Sequence, residues 1–399
     1  MPRTTHATGF ALVALAYAAA TTAGSVPTPL YVLFQRRDHF GTAMVSVVFA
    51  VYVIGVVTGL LTAGARADRL GRRPVLAAAL AVQLLACVVF VVWPALPGLL
   101  LGRVLSGLSV GLISAPATTF LLELHRCARP DTDHGHAEVV STAANLGGIA
   151  LGPLLSGVLA EWAPAPLLLP FLATAAVLVT GLLLLIVAPE TATPAAGRPQ
   201  RPPAVASGHR RAFVASCLGG LVAFAIFGLF AALSPTFLAE TLGYHSHALA
   251  GLVACVGLGS AAAGQVGLRR LAPRRALATA TATMPLGLGC VVAGVWSGSL
   301  GLFVVGGALA GAAAGLLLRA SLTTVVQLSP VDRRARTLAA LFITGYSGLA
   351  VPVIGLGAAS QLAGPRGALA GFAVLTAIGL AAITAVRLRS DPKAHALAT

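Results

Sequence analysis

Twelve apolar runs of about twenty residues, each ended by a short polar break, follow one another along this 399-residue chain. A run of that length, at the ~1.5 Å rise of an α-helix, matches the ~30 Å hydrocarbon core of a bilayer. Inside that layer no water satisfies backbone N–H and C=O groups, so each run is expected to form a helix. The runs read as 9–34, 43–63, 75–93, 98–122, 138–160, 167–187, 211–233, 247–267, 276–296, 300–328, 337–359 and 368–386. Only 9% of residues are charged and 57% are hydrophobic, against about a quarter charged in a soluble domain. The expected fold is an all-α polytopic membrane protein with twelve transmembrane helices.

The charges orient it. With the N-terminus inside, 21 basic residues fall on that side and three (Arg36, Arg37 and Arg366) on the other. This bias places both termini in the cytoplasm. The net charge of +15 does not indicate a nucleic-acid partner, because the arginines occupy short turns and build no aromatic-interleaved basic face. Arginine outnumbers lysine 25 to 1, a bias pointing to a GC-rich bacterial genome and so to a bacterial cell membrane. The five cysteines (Cys87, Cys127, Cys217, Cys255 and Cys290) are scattered without CxxC spacing, so neither a disulfide framework nor a metal site is expected. No phosphate-binding GxxxxGK[ST] loop appears, nor a nucleophile with a plausible base. Neither an enzyme nor a cofactor is therefore expected.

The chain also repeats itself at about 200 residues. Ser25-Val26-Pro27-Thr28 near the end of span 1 recurs as Ser234-Pro235-Thr236, Gly64 and its following arginines recur at Gly264, and Pro153 recurs as Pro352. Arg3 followed by an apolar run also has the form of a cleavable signal peptide, but the repeat needs span 1 and argues for its retention. The halves are residues 1–188 and 211–399. Between them lies a proline-rich polar linker, 189–210, that has no helical periodicity. Two pseudo-symmetric six-helix bundles are the expected architecture, with a site near the midplane where they face each other.

Three stretches carry the strongest signals. The break after span 2 holds Gly64, Asp68, Arg69, Gly71, Arg72 and Arg73. Span 4 holds Arg103 and Gly107, and an arginine inside the apolar layer is costly enough to be a functional candidate. Span 5 holds Gly148, Gly152, Pro153 and Gly157, small residues that permit tight helix contact beside a bending proline. With these motifs the chain resembles a twelve-span member of the major facilitator superfamily over essentially its whole length. The span-5 stretch is similar to that of drug/proton antiporters, with Ser156 where a glycine is usual.

The resemblance implies rocker-switch transport by alternating access. Residues 64–73 would latch the two halves in the outward-open state, with Asp68 meeting the positive N-terminal end of span 11. The second-half copy lacks the aspartate, so the latch is expected to be one-sided. Arg103, with Gly107, would take part in proton coupling. Spans 1, 4, 7 and 10 would line the cavity. Their candidates for substrate contact are Tyr17, Thr21, Ser25 and Thr28, then Ser114 and Thr118, then Phe224 and Phe227, then Arg319 and Thr323. Interhelical hydrogen bonding and aromatic packing are the other use for such residues.

Of the eleven carboxylates, none lies plainly at mid-membrane. Coupling would need Asp38, Glu123 or Glu240 to dip into the cavity, or another group to serve. Two intramembrane arginines without an intramembrane acid lean toward neutral or anionic cargo. The leading expectation is proton-coupled export of small, fairly hydrophobic molecules by a monomer in the bilayer. An importer by symport or uniport is the nearest alternative, and a non-transporting receptor with this fold is one of another class.

Overall fold

The computed structural model describes residues 5–130, 132, 135–191, 209–330 and 334–388, leaving out the side chains at 42, 64, 65, 68, 334 and 335. Every element in these residues is helical. The helices are α1 (His6–Asp38), α2 (Thr42–Leu70), α3 (Arg72–Val92), α4 (Leu96–Ala128), α5 (Gly135–Trp162), α6 (Leu169–Val187), α7 (Arg210–Thr241), α8 (His247–Gly267), α9 (Pro273–Ser297) and α10 (Leu300–Leu328). A final helical stretch, Arg334–Leu388, has 55 residues. At 1.5 Å per residue it is roughly 80 Å of helix, far more than one crossing. Gly364 breaks it with φ 71°, ψ 163°, in the positive-φ region where glycine carries no Cβ penalty. The two legs are α11 (334–363) and α12 (365–388), which completes twelve crossings in two six-helix bundles. The linker expected at 189–210 lies mostly outside the described residues.

Two boundaries differ most from expectation, each for a physical reason. The arginine-rich break after span 2 is not an extended turn, because α2 runs on to Leu70 and α3 starts at Arg72. Arginine, alanine and leucine are all good helix formers. Only Gly71, at φ 98°, interrupts them. Span 7 does not stop at residue 233. Helix α7 continues through Pro235 to Thr241 by adopting π-turns at Leu229–Leu233 and Phe237–Thr241, which re-route the hydrogen bonds that proline removes. Helix α1 meets the same problem at Pro27 with a 3₁₀ turn, Thr28–Leu30. The repeated Ser–Pro–Thr element therefore yields irregular backbone in both halves.

Burial sorts the helices into layers. The apolar stretch of α7 is 72% buried, those of α1 and α4 61% and that of α10 56%, against 33% for α6 and α9. Helices 1, 4, 7 and 10 are thus the central ones. The outer helices turn Val92, Trp162, Leu286, Leu362 and Leu375 outward, each more than 60% exposed, which suits a lipid-facing perimeter.

The halves meet along two helix pairs, α5 with α8 and α2 with α11. Glycine makes both approaches close. A Cβ at Gly157 would stand 2.4 Å from the His247 carbonyl oxygen, one at Gly251 2.2 Å from that of Pro153, and one at Gly357 2.2 Å from Ser46 Oγ. Small residues of this kind replace hydrophobic driving force with backbone-to-backbone packing in lipid.

Candidate functional site

At the centre of the N-terminal half, Arg103 of α4 is only 3% exposed. Its Nη1 donates to the Gly24 carbonyl of α1 at 2.8 Å. Its guanidinium lies 4.4 Å from the ring centroid of Tyr52 and 5.4 Å from that of Phe49, both on α2. It does not snorkel to the surface; it is held inward by one carbonyl and two aromatic faces. Its Nε and the nearby Tyr31 hydroxyl are buried without a hydrogen-bond partner. Tyr31 and Tyr52 lie near Arg103, Tyr17 and Tyr31 lie near Tyr52, and Tyr346 of α11 approaches Tyr17 and Tyr52 from the other half. Four of the chain's five tyrosines therefore converge here. Gly107 lies against the Tyr52 carbonyl, where a Cβ would come within 2.0 Å, so it permits the α2–α4 crossing that brings Tyr52 under Arg103.

The polar face of α1 divides in two. The Tyr17 hydroxyl lies beside the side chains of Thr118 and Ser114 on α4, and Ser141 of α5 donates to Thr118 Oγ1 at 3.1 Å. Thr118 is exposed and Ser114 half-buried, so this network borders open space. Thr21 is fully buried and donates to the Ala144 carbonyl at 2.7 Å, within the π-turn Ala143–Gly147 of α5. Ser25 bonds its own helix at the Thr22 carbonyl, 3.0 Å, beside Gly152, whose Cβ would fall 2.2 Å from Ser25 Oγ. A Cβ at Gly148 would stand 2.1 Å from Thr21 Oγ1. Thr21, Ser25, Gly148 and Gly152 thus sit together at the α1–α5 contact, while Gly157 and Pro153 face α8. Thr28 is buried in the 3₁₀ turn.

In the C-terminal half, Phe224 packs edge-on to Tyr346 at 4.7 Å and against Phe227 at 5.5 Å, next to the tyrosine cluster. Arg319 lies apart from it. Its Nη1 donates to the Leu268 carbonyl at the end of α8, 2.6 Å, and Glu138 of α5 is its electrostatic counterpart. A cation at a helix C-terminus complements the dipole there. Thr323, one turn on, is half-buried.

The space between the halves is closed at one end. Residues 23–31 of α1 and 222–238 of α7 are buried on every face, whereas Phe10, Ala14 and Ala18 of α1, Ala115 and Thr118 of α4, and Phe213 of α7 are partly or fully exposed. At the closed end, Thr28–Leu30 touches α5 and α8, Ser234–Thr236 touches Tyr31–Asp38, and Glu161 accepts the His247 amide, capping α8 at 2.6 Å. The opening faces the arginine-rich end.

The break between α2 and α3 is tied into its own half. Glu190, just past α6, accepts the first two amides of α3, from Arg72 at 3.1 Å and Arg73 at 2.8 Å. Its carboxylate fills the place where a Gly71 Cβ would go, 2.9 Å away. Arg72 bridges to Glu123 of α4 at 3.4 Å, and Arg73 donates to the Ile186 and Ala188 carbonyls that end α6. Gly64 and Asp68 lie on α2, but the Asp68 side chain is outside the described residues, as are residues 331–333 ahead of α11. Arg69 is exposed. Glu190→Ala removes a carboxylate cap worth about 1 kcal/mol. It is expected to lower the thermal midpoint of the detergent-purified protein by a few degrees, while Glu190→Asp recovers part of the loss.

None of the described carboxylates reaches the tyrosine cluster. Asp38 pairs with Arg37 at 2.7 Å, Glu123 and Glu190 hold the α3–α6 corner, Glu138 and Glu161 sit at opposite ends of α5, and Glu240 closes α7. Phe49, Tyr52 and Tyr346 lie on α2 and α11, outside the motif-bearing spans 1, 4, 7 and 10, in runs whose pattern is otherwise apolar. The scarcity of tyrosine was the available signal.

The family model described as Major Facilitator Superfamily matches residues 13–292. Comparison with curated protein sequences finds no match. Among solved structures, the human organic anion transporter MFSD10 (TETRAN) superposes with TM-score 0.68 at 16% identity, covering 96% of this chain and 100% of that one. A bacterial homologue of the human lysosomal transporter Spinster, inward-facing and unoccupied, gives TM-score 0.76 at 15% identity over 97% and 99%. The nucleoside transporter NupG, solved as a point mutant, gives 0.74 at 14% over 95% and 99%.

Proposed function

The chain belongs to the major facilitator superfamily, and from that premise we propose that it is a secondary active transporter exporting small, fairly hydrophobic molecules from a bacterial cell. The carrying observation is the one-sided closure between two like halves: α1 and α7 are sealed at one end and open at the other, which is half of an alternating-access cycle. The positive-inside bias puts the open end in the cytoplasm, so this is the cytoplasm-facing state. The protein takes cargo there as a monomer, since the two halves already form a complete pathway.

Arg103 and the tyrosine cluster favour neutral or anionic cargo with polarisable rings. No described acid stands in the cavity to hold a cation, and the similar MFSD10 carries organic anions by its printed name. Export over import rests on the Gly148–Gly157 stretch, and the proton gradient is the proposed driving force. Flux in inverted vesicles, measured with and without a pH gradient across aromatic acids, cationic dyes and sugars, tests direction, coupling and cargo together. Uptake of acids that rises with the pH gradient supports the reading. Preferred cationic dyes overturn the cargo class, outward flux favours the importer, and no flux with any cargo favours a receptor.

Asp68 is proposed to engage the start of α11 when the cytoplasmic side closes, while Arg72 and Arg73 keep their own-half anchors. Asp68→Asn is expected to cut flux at least about tenfold, the scale of one charge-assisted hydrogen bond, with normal insertion because the arginines remain. Wild-type flux in that variant would reduce the turn to a topology anchor.

A further inference from the structure

A cavity lies away from the cytoplasm-facing opening. At the opposite end of the C-terminal half, a niche of ≈ 10 Å³ lies between α7 and the α11–α12 hairpin, lined on its polar side by Thr236, Glu240, Thr241 and Ser360. It shares Glu240, Thr241 and Pro365 with a wider mouth of ≈ 360 Å³ that Gly364 and Arg366 border. A niche of about 10–15 Å³ admits one water-sized occupant and nothing larger. Thr236 is only 5% exposed, and its hydroxyl, like that of Thr241, is buried with no hydrogen-bond partner. Two orphaned hydroxyls in one small niche are costly unless something fills it.

The chemistry of the lining selects the occupant. Every polar side-chain atom in the niche is oxygen, from three hydroxyls and one carboxylate, a hard-cation set without nitrogen or sulfur donors. Two helix C-termini end here, α7 at Thr241 and α11 before Gly364, each contributing the negative partial charge of a helix end, although the Phe237 and Leu238 carbonyls of α7 already accept the Leu242 and Tyr244 amides. The π-turn Phe237–Thr241 shifts the hydrogen-bond register of the last turn of α7 at this point. Glu240 brings one carboxylate to the lining, enough for a monovalent ion. Arg366 at the mouth opposes a second positive charge, which disfavours a divalent ion, and the size excludes an organic ammonium.

We propose that this niche is a sodium-ion site. Thr236, Thr241 and Ser360 supply hydroxyl oxygens, Glu240 supplies the charge, and the ion ties the outer end of α7 to the α11–α12 hairpin. The site is separate from the central cavity and does not depend on what the transporter carries or in which direction.

Thermal unfolding of the purified full chain, at constant ionic strength, tests the proposal without any transport assay. Replacing choline by sodium is expected to raise the midpoint along a saturating curve, since an ion bound only to the folded state stabilises it. The rise should be the same with chloride or gluconate as anion. Thr236→Val is expected to weaken the apparent sodium affinity at least about tenfold, the step that ~1.4 kcal/mol of lost coordination makes. Thr236→Ser, which keeps the hydroxyl, should retain the response, so a folding defect in the valine variant is separable. Glu240→Gln should abolish it. A response equal in choline, one that follows chloride, or one unchanged in both Thr236→Val and Glu240→Gln would overturn the proposal, leaving a niche that holds only water.

Discussion

Replacing Arg103 with glutamine is expected to reduce transport on the order of 100-fold, the consequence of losing about 3 kcal/mol in charge-assisted and cation–π contact at a desolvated site. The guanidinium is 3% exposed and makes one hydrogen bond, to the Gly24 carbonyl. Two rings of α2 receive its faces. It thus joins α1, α2 and α4 at the point where the tyrosines of both halves converge. Arg103→Lys should recover little, because an ammonium cannot lie flat between Phe49 and Tyr52 while reaching the carbonyl. Flux normalised to folded protein, with the thermal midpoint as a control, is the measurement. If the glutamine variant transports as wild type does, Arg103 only packs α4 and the anionic-cargo reading loses its main support.

Gly157→Ala is the second large effect. One added methyl would meet the backbone carbonyl of His247 at 2.4 Å, with Gly251 Cα only 3.1 Å away. Backbone cannot step aside as a flexible side chain can, so the α5–α8 contact must open, costing about 1–3 kcal/mol. That contact joins the two halves, and a rocking motion must pass through it, so flux is expected to fall about fivefold to 100-fold on the same scale. Gly147→Ala, ten residues earlier on α5, is the control, because a Cβ there meets nothing within 4 Å; it should transport within about twofold of wild type, as substitutions away from such contacts cost about 0.5 kcal/mol or less. Equal flux in the two variants would mean that the α5–α8 contact does not constrain the cycle.

Much of the fold was legible in one dimension. The expected spans 247–267 and 300–328 are the observed α8 and α10, and Ser246 and Ser299 cap both helices through their hydroxyls. Arg103 stood out because a charge in an apolar run is conspicuous. The polar residues of span 1 were harder. Thr21 and Ser25 share a helical face with Tyr17, yet the structure sets them against Gly148 and Gly152 of α5, while Tyr17 reaches Ser114 and Thr118 on α4. Periodicity groups residues on a face without saying which neighbour that face meets. Glu190 was invisible for another reason: it caps a helix 118 residues earlier in the chain, and no local pattern marks that pairing.

The sequence alone determined that the chain crosses a membrane twelve times as helices in two repeated halves, because bilayer thickness and the need to satisfy every backbone group act on each segment by itself. Hydropathy and charge bias record those constraints residue by residue. Only the tertiary structure decided the rotation of each helix about its axis. That rotation brings Tyr31 and Tyr52 to Arg103 and Tyr17 and Tyr346 beside Tyr52, sends Arg319 to the end of α8, and leaves Thr236 unpaired in a niche at the far end. Between helices in lipid, rotation is chosen by close packing and partner hydrogen bonds, which belong to pairs of helices and are written in neither one.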